Sequence, residues 1–124
     1  YRICIVIDDG AMQRKIQQLE NKIAKIKTEL AALGELRPGS LSEQYNVCGR
    51  PTCRCKGSPP QRHGPYYQLS YTRNGKSSSR FVKQPELAAV RRQVENYARL
   101  RTLVDRWIDL ATELSELKLA ENRE

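Results

Sequence analysis

Cys48, Cys53, Cys55 and the chain's single histidine, His63, fall within sixteen residues in the order C-x4-C-x-C-x7-H. Three soft thiolates and one imidazole are the donor set of a closed tetrahedral zinc site. Cysteine–histidine clusters near finger spacing read first as metal ligands, although this spacing matches none of the common finger patterns. Gly49 and the prolines Pro51, Pro59 and Pro60 shape the loops between the donors. The competing readings are reduced thiols with His63 merely opening a strand, and a disulfide. The disulfide is the poorer of the two, because three cysteines leave an odd thiol in a chain without signs of secretion. Structural Zn2+ held by Cys48, Cys53, Cys55 and His63 is therefore expected. Four protein donors leave no position for water or substrate, so the site points to architecture and not to hydrolysis.

The charge distribution places a second chemistry on the same segment. Residues 37–83 carry nine basic side chains (Arg37, Arg50, Arg54, Lys56, Arg62, Arg73, Lys76, Arg80, Lys83) against one acid, Glu43, whereas the flanking segments are nearly balanced. The formal net charge of +8 thus sits around the cysteines. A solvated surface usually mixes signs, so so one-sided a ratio points to a polyanionic partner. Tyr45, Tyr66, Tyr67, Tyr71 and Phe81 are interleaved with these cations. Candidate nucleic-acid contacts are Arg50, Arg54, Lys56, Arg62, Arg73, Lys76 and Arg80, continued by Arg91 and Arg92 on the following helix.

The elements that position these groups follow from periodicity. With 124 residues, 39% hydrophobic and 6% aromatic, the chain is one small module with a thin core, of the kind that recruits a metal or a partner chain. Residues 1–11 read as a flexible or non-native leader: residues 1–7 look like a short strand ended at Asp8-Asp9-Gly10, and Gly10-Ala11-Met12 resembles a tag scar. Residues 12–34 form a coiled-coil helix with Ile16, Leu19, Ile23, Ile26, Leu30 and Leu33 at 3-4-3-4-3 spacing, stopped by Gly34. Residues 38–83 combine the zinc knuckle with a β-hairpin, and residues 40–43 read as a turn of helix before the knuckle. Asn74-Gly75 between two β-prone runs marks a type I′ hairpin turn, which pairs Tyr71 with Ser78, Leu69 with Arg80 and Tyr67 with Val82. Residues 85–120 form one long helix: Leu87, Val90, Val94 and Tyr97 cover the hairpin, while Leu100, Leu103, Trp107, Leu110, Leu114 and Leu117 pair antiparallel with the first helix. Ile16, Leu19, Ile23, Ile26, Leu30, Leu103, Trp107, Leu110 and Leu114 are the candidate oligomerisation residues. Val104, Ile108 and Ala111 broaden the second stripe and add to the expectation of a homo-oligomer. The fold class is α+β.

No run approaches the ~20 apolar residues of a membrane span, and a cytoplasmic setting without membrane contact is expected. The leading function is non-catalytic, zinc-stabilised binding of DNA or RNA. The alternative is a coiled-coil assembly or adaptor protein whose basic zinc module docks an acidic protein partner. An enzyme is not expected: no carboxylate lies among the cysteines to act as a base, and the sole histidine is assigned to metal.

The run from Leu36 to Lys56 with its Cys48-Gly-Arg-Pro-Thr-Cys53-Arg-Cys55, then His63-Gly-Pro-Tyr-Tyr67, Gly75-Lys76, Arg80-Phe-Val82 and Val94-Glu-Asn-Tyr97, resembles a group of small bacterial proteins catalogued as a domain of unknown function. The likeness covers about residues 36–117, and the cysteine–histidine set matches position for position. It implies the same fold and metal site. It also implies a setting among mobile elements, and hence an accessory role in a nucleic-acid machine. A looser, architectural likeness is to the strand–strand–helix arm-binding modules of tyrosine recombinases, and fold alone does not fix function.

Overall fold

A computed structural model of the protein describes residues 9–122, so the strand expected over residues 1–7, and Cys4, lie outside the described residues. In chain order the elements are α1 (Asp9–Ala31), β1 (Ser40–Asn46), β2 (His63–Arg73), β3 (Lys76–Val82) and α2 (Gln84–Glu121), with one 3-10 turn at Arg54–Lys56. The fold is α+β: two helices and a three-stranded antiparallel sheet of order β1-β2-β3. The described residues divide into two compact units, one of 9–33 with 99–122 and one of 34–98.

In the helical unit, the 3-4 spacing keeps Leu19, Ile23 and Ile26 of α1 on one stripe, where they pack with Leu103 and Leu110 of α2. Leu30, Trp107, Ala111, Leu114 and Leu117 close around them, and Ile16 is also buried. Leu19 is 1% exposed, and burying a leucine fully contributes about 1.5–3 kcal/mol. Ion pairs flank the seam: Glu29 with Arg99 at 3.4 Å, Glu20 with Lys118 at 3.2 Å and Lys15 with Glu113 at 3.4 Å. Exposed pairs of this kind contribute roughly 0–1 kcal/mol each, so they select register while the seam supplies stability. Apart from Ile16, the side chains expected to mediate oligomerisation pack in this seam within one chain. Of the residues that broadened the stripe, Ala111 joins this core whereas Ile108 is 56% exposed.

Two boundaries differ from the sequence expectation. α1 begins at Asp9, whose carboxylate lies in the first turn and complements the helix dipole, so Asp9-Gly10 belongs to the helix that was expected from residue 12. At its other end the Ala32 N–H donates to Thr28 O at 3.1 Å and the Leu33 N–H to Leu30 O at 3.2 Å. This tightening to 3-10 pitch ends the helix, and Gly34 is not among the glycines with positive φ.

In the sheet unit, β2 and β3 meet in the expected register, Tyr67↔Val82, Leu69↔Arg80 and Tyr71↔Ser78. Asn74 (φ 53°) and Gly75 (φ 77°) hold the positive φ values of a type I′ turn. Residues 40–43 are not helical: they open β1, which pairs Leu41 with Leu69 and Glu43 with Tyr67. A third strand supplies the partner that an isolated two-stranded hairpin needs for stability. Strand alternation sends Leu69 and Val82 against Leu87 and Val90 of α2, with Leu41, Tyr67, Tyr71 and Val94 around them. Gly39, at φ 138°, precedes β1; a Cβ there would stand 2.8 Å from Leu69 Cδ1 and 2.9 Å from Ser70 O. Only glycine allows the chain to pass that close to the central strand.

Candidate metal centre

The cysteines and histidine occupy the connection between β1 and β2. β1 ends at Asn46, β2 starts at His63, and Asn46 pairs with His63 across a bulge that follows Gln44. Cys48 and His63 therefore stand at the two ends of the connection, beside paired strand residues. Between them, Arg50-Pro-Thr-Cys53 forms a turn closed by the Cys53 N–H donating to Arg50 O at 3.2 Å. Proline in its second position suits that geometry. The 3-10 turn at Arg54–Lys56 follows and brings Cys55 back beneath the loop, where it is 1% exposed.

The donor atoms of Cys48, Cys53, Cys55 and His63 all lie within 4.8 Å of one another. Cys48 Sγ is 3.6 Å from Cys55 Sγ, and Cys53 Sγ is 3.3 Å from His63 Nε2. A tetrahedron built on metal–sulfur bonds of 2.3 Å has edges of about 3.8 Å. The four side chains are thus gathered at the scale of one metal ion, and the group can hold one. The loop backbone favours anionic sulfur, since the Cys48 N–H donates to Cys55 Sγ at 3.4 Å. The Cys53 thiol is lowered to about 6, first by the Cys55 backbone N–H and then by hydrogen bonds with the Cys55, Cys48 and His63 side chains. At Cys55 the Cys48 N–H acts in the same direction, but burial and the neighbouring Cys53 and Cys48 thiols outweigh it and raise the pKa. One thiolate is thus ready at neutral pH, and a buried thiol gives up its proton when a cation takes its place.

Gly64 is a positioning residue that sequence reasoning passed over. It takes φ 142°, and a Cβ there would meet Gln44 O and Tyr45 Cδ1, each at 2.8 Å. Its signal was its place between His63 and Pro65. Gly64→Ala must displace β1 or the His63 ring, because two of these contacts are sub-van der Waals and the backbone is in a glycine region. The expected result is a lower melting temperature for the sheet unit together with weaker metal retention, read by differential scanning calorimetry and a chromophoric chelator. Wild-type values for both would refute this role.

The candidate nucleic-acid residues are distributed as follows. Arg50, Arg54, Lys56 and Arg62 are exposed on the β1–β2 connection, and Arg73 and Lys76 flank the hairpin turn. Arg80 is instead engaged with Glu86 at 3.4 Å, and Arg91 stacks its guanidinium 5.7 Å from the centroid of the Tyr67 ring. Arg92 is exposed on α2. Glu43 lies on the α2 side of the sheet, beside Tyr67. Among the described residues, no helix is long and apolar enough to cross a membrane.

A family model described as Domain of unknown function (DUF6788) matches residues 12–92, a span that includes the whole sheet and all four cysteine and histidine donors. No curated protein and no solved structure matches the chain.

Proposed function

We propose, from the premise that the chain belongs to the DUF6788 family, that residues 34–98 are a zinc-stabilised module that binds nucleic acid without catalysis. The family assignment lends no activity, so the proposal stands on this chain's own residues. Zinc is the metal of choice because three thiolates and an imidazole match its softness and its tetrahedral geometry. Its work is structural: it ties the β1 end to the β2 start and orders the loop that carries Arg50, Arg54, Lys56 and Arg62. The observation that carries the function is electrostatic. Nine cations and one acid occupy residues 37–83, and the acid is on the α2 side of the sheet. The intramolecular partners of Arg80 and Arg91 leave the loop and turn cations to meet phosphates. An accessory subunit of a larger nucleic-acid machine, such as one serving a mobile element, is the setting this activity suits.

The test is binding of the zinc-loaded protein to labelled oligonucleotides across a salt series. Each phosphate engaged steepens the dependence of log affinity on log salt by about 0.7–0.9. Arg73→Glu with Lys76→Glu, at exposed turn positions, is expected to lower affinity at least about tenfold and to flatten that slope by roughly two contacts. An unchanged slope would remove the hairpin turn from the interface. The adaptor reading draws on the exposure of Ile108 and Leu119, at 56% and 50% on α2. Binding to polyglutamate as tight as to any oligonucleotide would favour that alternative.

A further inference from the structure

We propose that the face of the sheet opposite α2 is a stacking platform for a single-stranded nucleic acid, with Tyr66 and Phe81 each carrying one base. This rests on the nucleic-acid reading above and makes it specific. Strand alternation divides the sheet. Tyr67, Leu69 and Val82 turn to α2, whereas Tyr66, Gln68 and Phe81 turn the other way. On that other side Phe81, the chain's only phenylalanine, is 60% exposed and Tyr66 is 43% exposed. The register pairs Phe81 with Gln68 and Tyr66 with Gln44, so the two rings are diagonal neighbours on adjacent strands, about 7–8 Å apart.

Three observations point to nucleic-acid bases as the occupant. First, the two rings line one groove together with Lys83, which places a cation beside both aromatic surfaces. Second, the rest of this face carries short hydroxyl residues and the amides of Gln44 and Gln68, hydrogen-bonded to each other. The rings therefore stand proud of their surroundings, and the amides offer donor and acceptor groups to base edges. Third, no acid lies on this face, since Glu43 is on the α2 side, and its one cation is the exposed Lys83, which follows Phe81 by two residues. An acid-free surface with two exposed rings and a lysine beside them complements bases on a phosphate chain. A single strand fits and a duplex does not, because base faces are covered by their neighbours inside a helix. A single strand can lay them on protein rings.

The experiment uses the zinc-loaded full chain with labelled oligo-dT, oligo-U and duplex DNA, each of about twelve nucleotides, a length within the range of known single-strand sites. Phe81→Ala and Tyr66→Ala are expected to weaken single-strand binding by on the order of tenfold each, Phe81→Tyr to retain it, and zinc content and melting temperature to stay at wild-type values in all three. Either ranking of dT and U supports the platform and assigns the sugar of its strand. Wild-type affinity in both alanine variants, with binding still lost on reversing Arg73 and Lys76, would overturn the platform and leave the nucleic-acid reading standing. A preference for duplex would do the same. Failure of every oligonucleotide to bind at low salt would overturn both.

Discussion

Removing zinc, or replacing Cys55 by serine, is expected to unfold the sheet unit while Trp107 still reports a folded helical unit. The sheet unit has a small core, built on Leu69, Val82, Leu87 and Val90. Its longest connection, from Asn46 to His63, carries candidate metal donors at both ends. Structural zinc supplies about 10–16 kcal/mol of apparent binding free energy in finger peptides, and a whole domain is stable by only about 5–15 kcal/mol. Cys55 is 1% exposed, so serine there removes a thiolate from the most enclosed corner of the cluster. Trp107, the chain's single tryptophan, packs in the helical seam with the Lys27 ammonium 5.2 Å from its ring centroid. Its emission therefore follows one unit, while the exposure of Tyr45, Tyr66, Tyr67 and Tyr71, read from tyrosine absorbance, follows the other. Unchanged metal content and melting in Cys55→Ser would dispose of the structural-zinc reading.

Acid should produce the same loss by competition. Cys53, lowered to about 6, favours its charged form in the fold. Its contribution is full above the ordinary thiol value of 9.0, declines through neutral pH and is gone once pH falls below about 6. Cys55, raised from its ordinary value, becomes a ligand only by exchanging its proton for the metal, which adds to the same direction. Zinc retention, followed with a chelating dye, is therefore expected to weaken progressively on acidification from about pH 7.5 to about pH 5.

The second large effect lies in the core. Leu69→Ala is expected to destabilise the sheet unit by about 2–5 kcal/mol, measured by urea denaturation. Leu69 is 0% exposed on the central strand, between Leu41 on β1 and Arg80 on β3 in register. Its Cδ1 is also what a Cβ at Gly39 would strike, so truncation leaves a void that the chain at residue 39 fills only by shifting. Phe81→Ala, on the same sheet but exposed, should cost little by comparison. A loss under about 1 kcal/mol at Leu69 would mean that the void collapses and that the core is less closely packed than it looks.

Much of this architecture was legible because the signals were local. The 3-4 spacing from Ile16 to Leu30 is a property of one helix, and it located the buried stripe. Asn74-Gly75 set a turn type, which fixed the register of β2 with β3 to the residue. The clustering of three cysteines and the only histidine along the chain singled out the four side chains that the fold gathers within 4.8 Å. The segment that misled was residues 40–43. Its serines and glutamate carry little strand propensity, and it becomes β1 only because Leu41 finds Leu69 across the sheet. Strand formation depends on such partners more than on composition.

From sequence alone came the two helices, the hairpin and its register, the cluster of candidate metal donors and the concentration of charge, all of which depend on neighbours along the chain. Tertiary structure decided what depends on distant contacts. It added β1 and required glycine at 39 and 64 where backbone passes side chains at close range. It also turned Tyr66 and Phe81 outward and Glu43 towards the α2 side, because a pleated strand assigns faces only once its partner and its covering helix are in place.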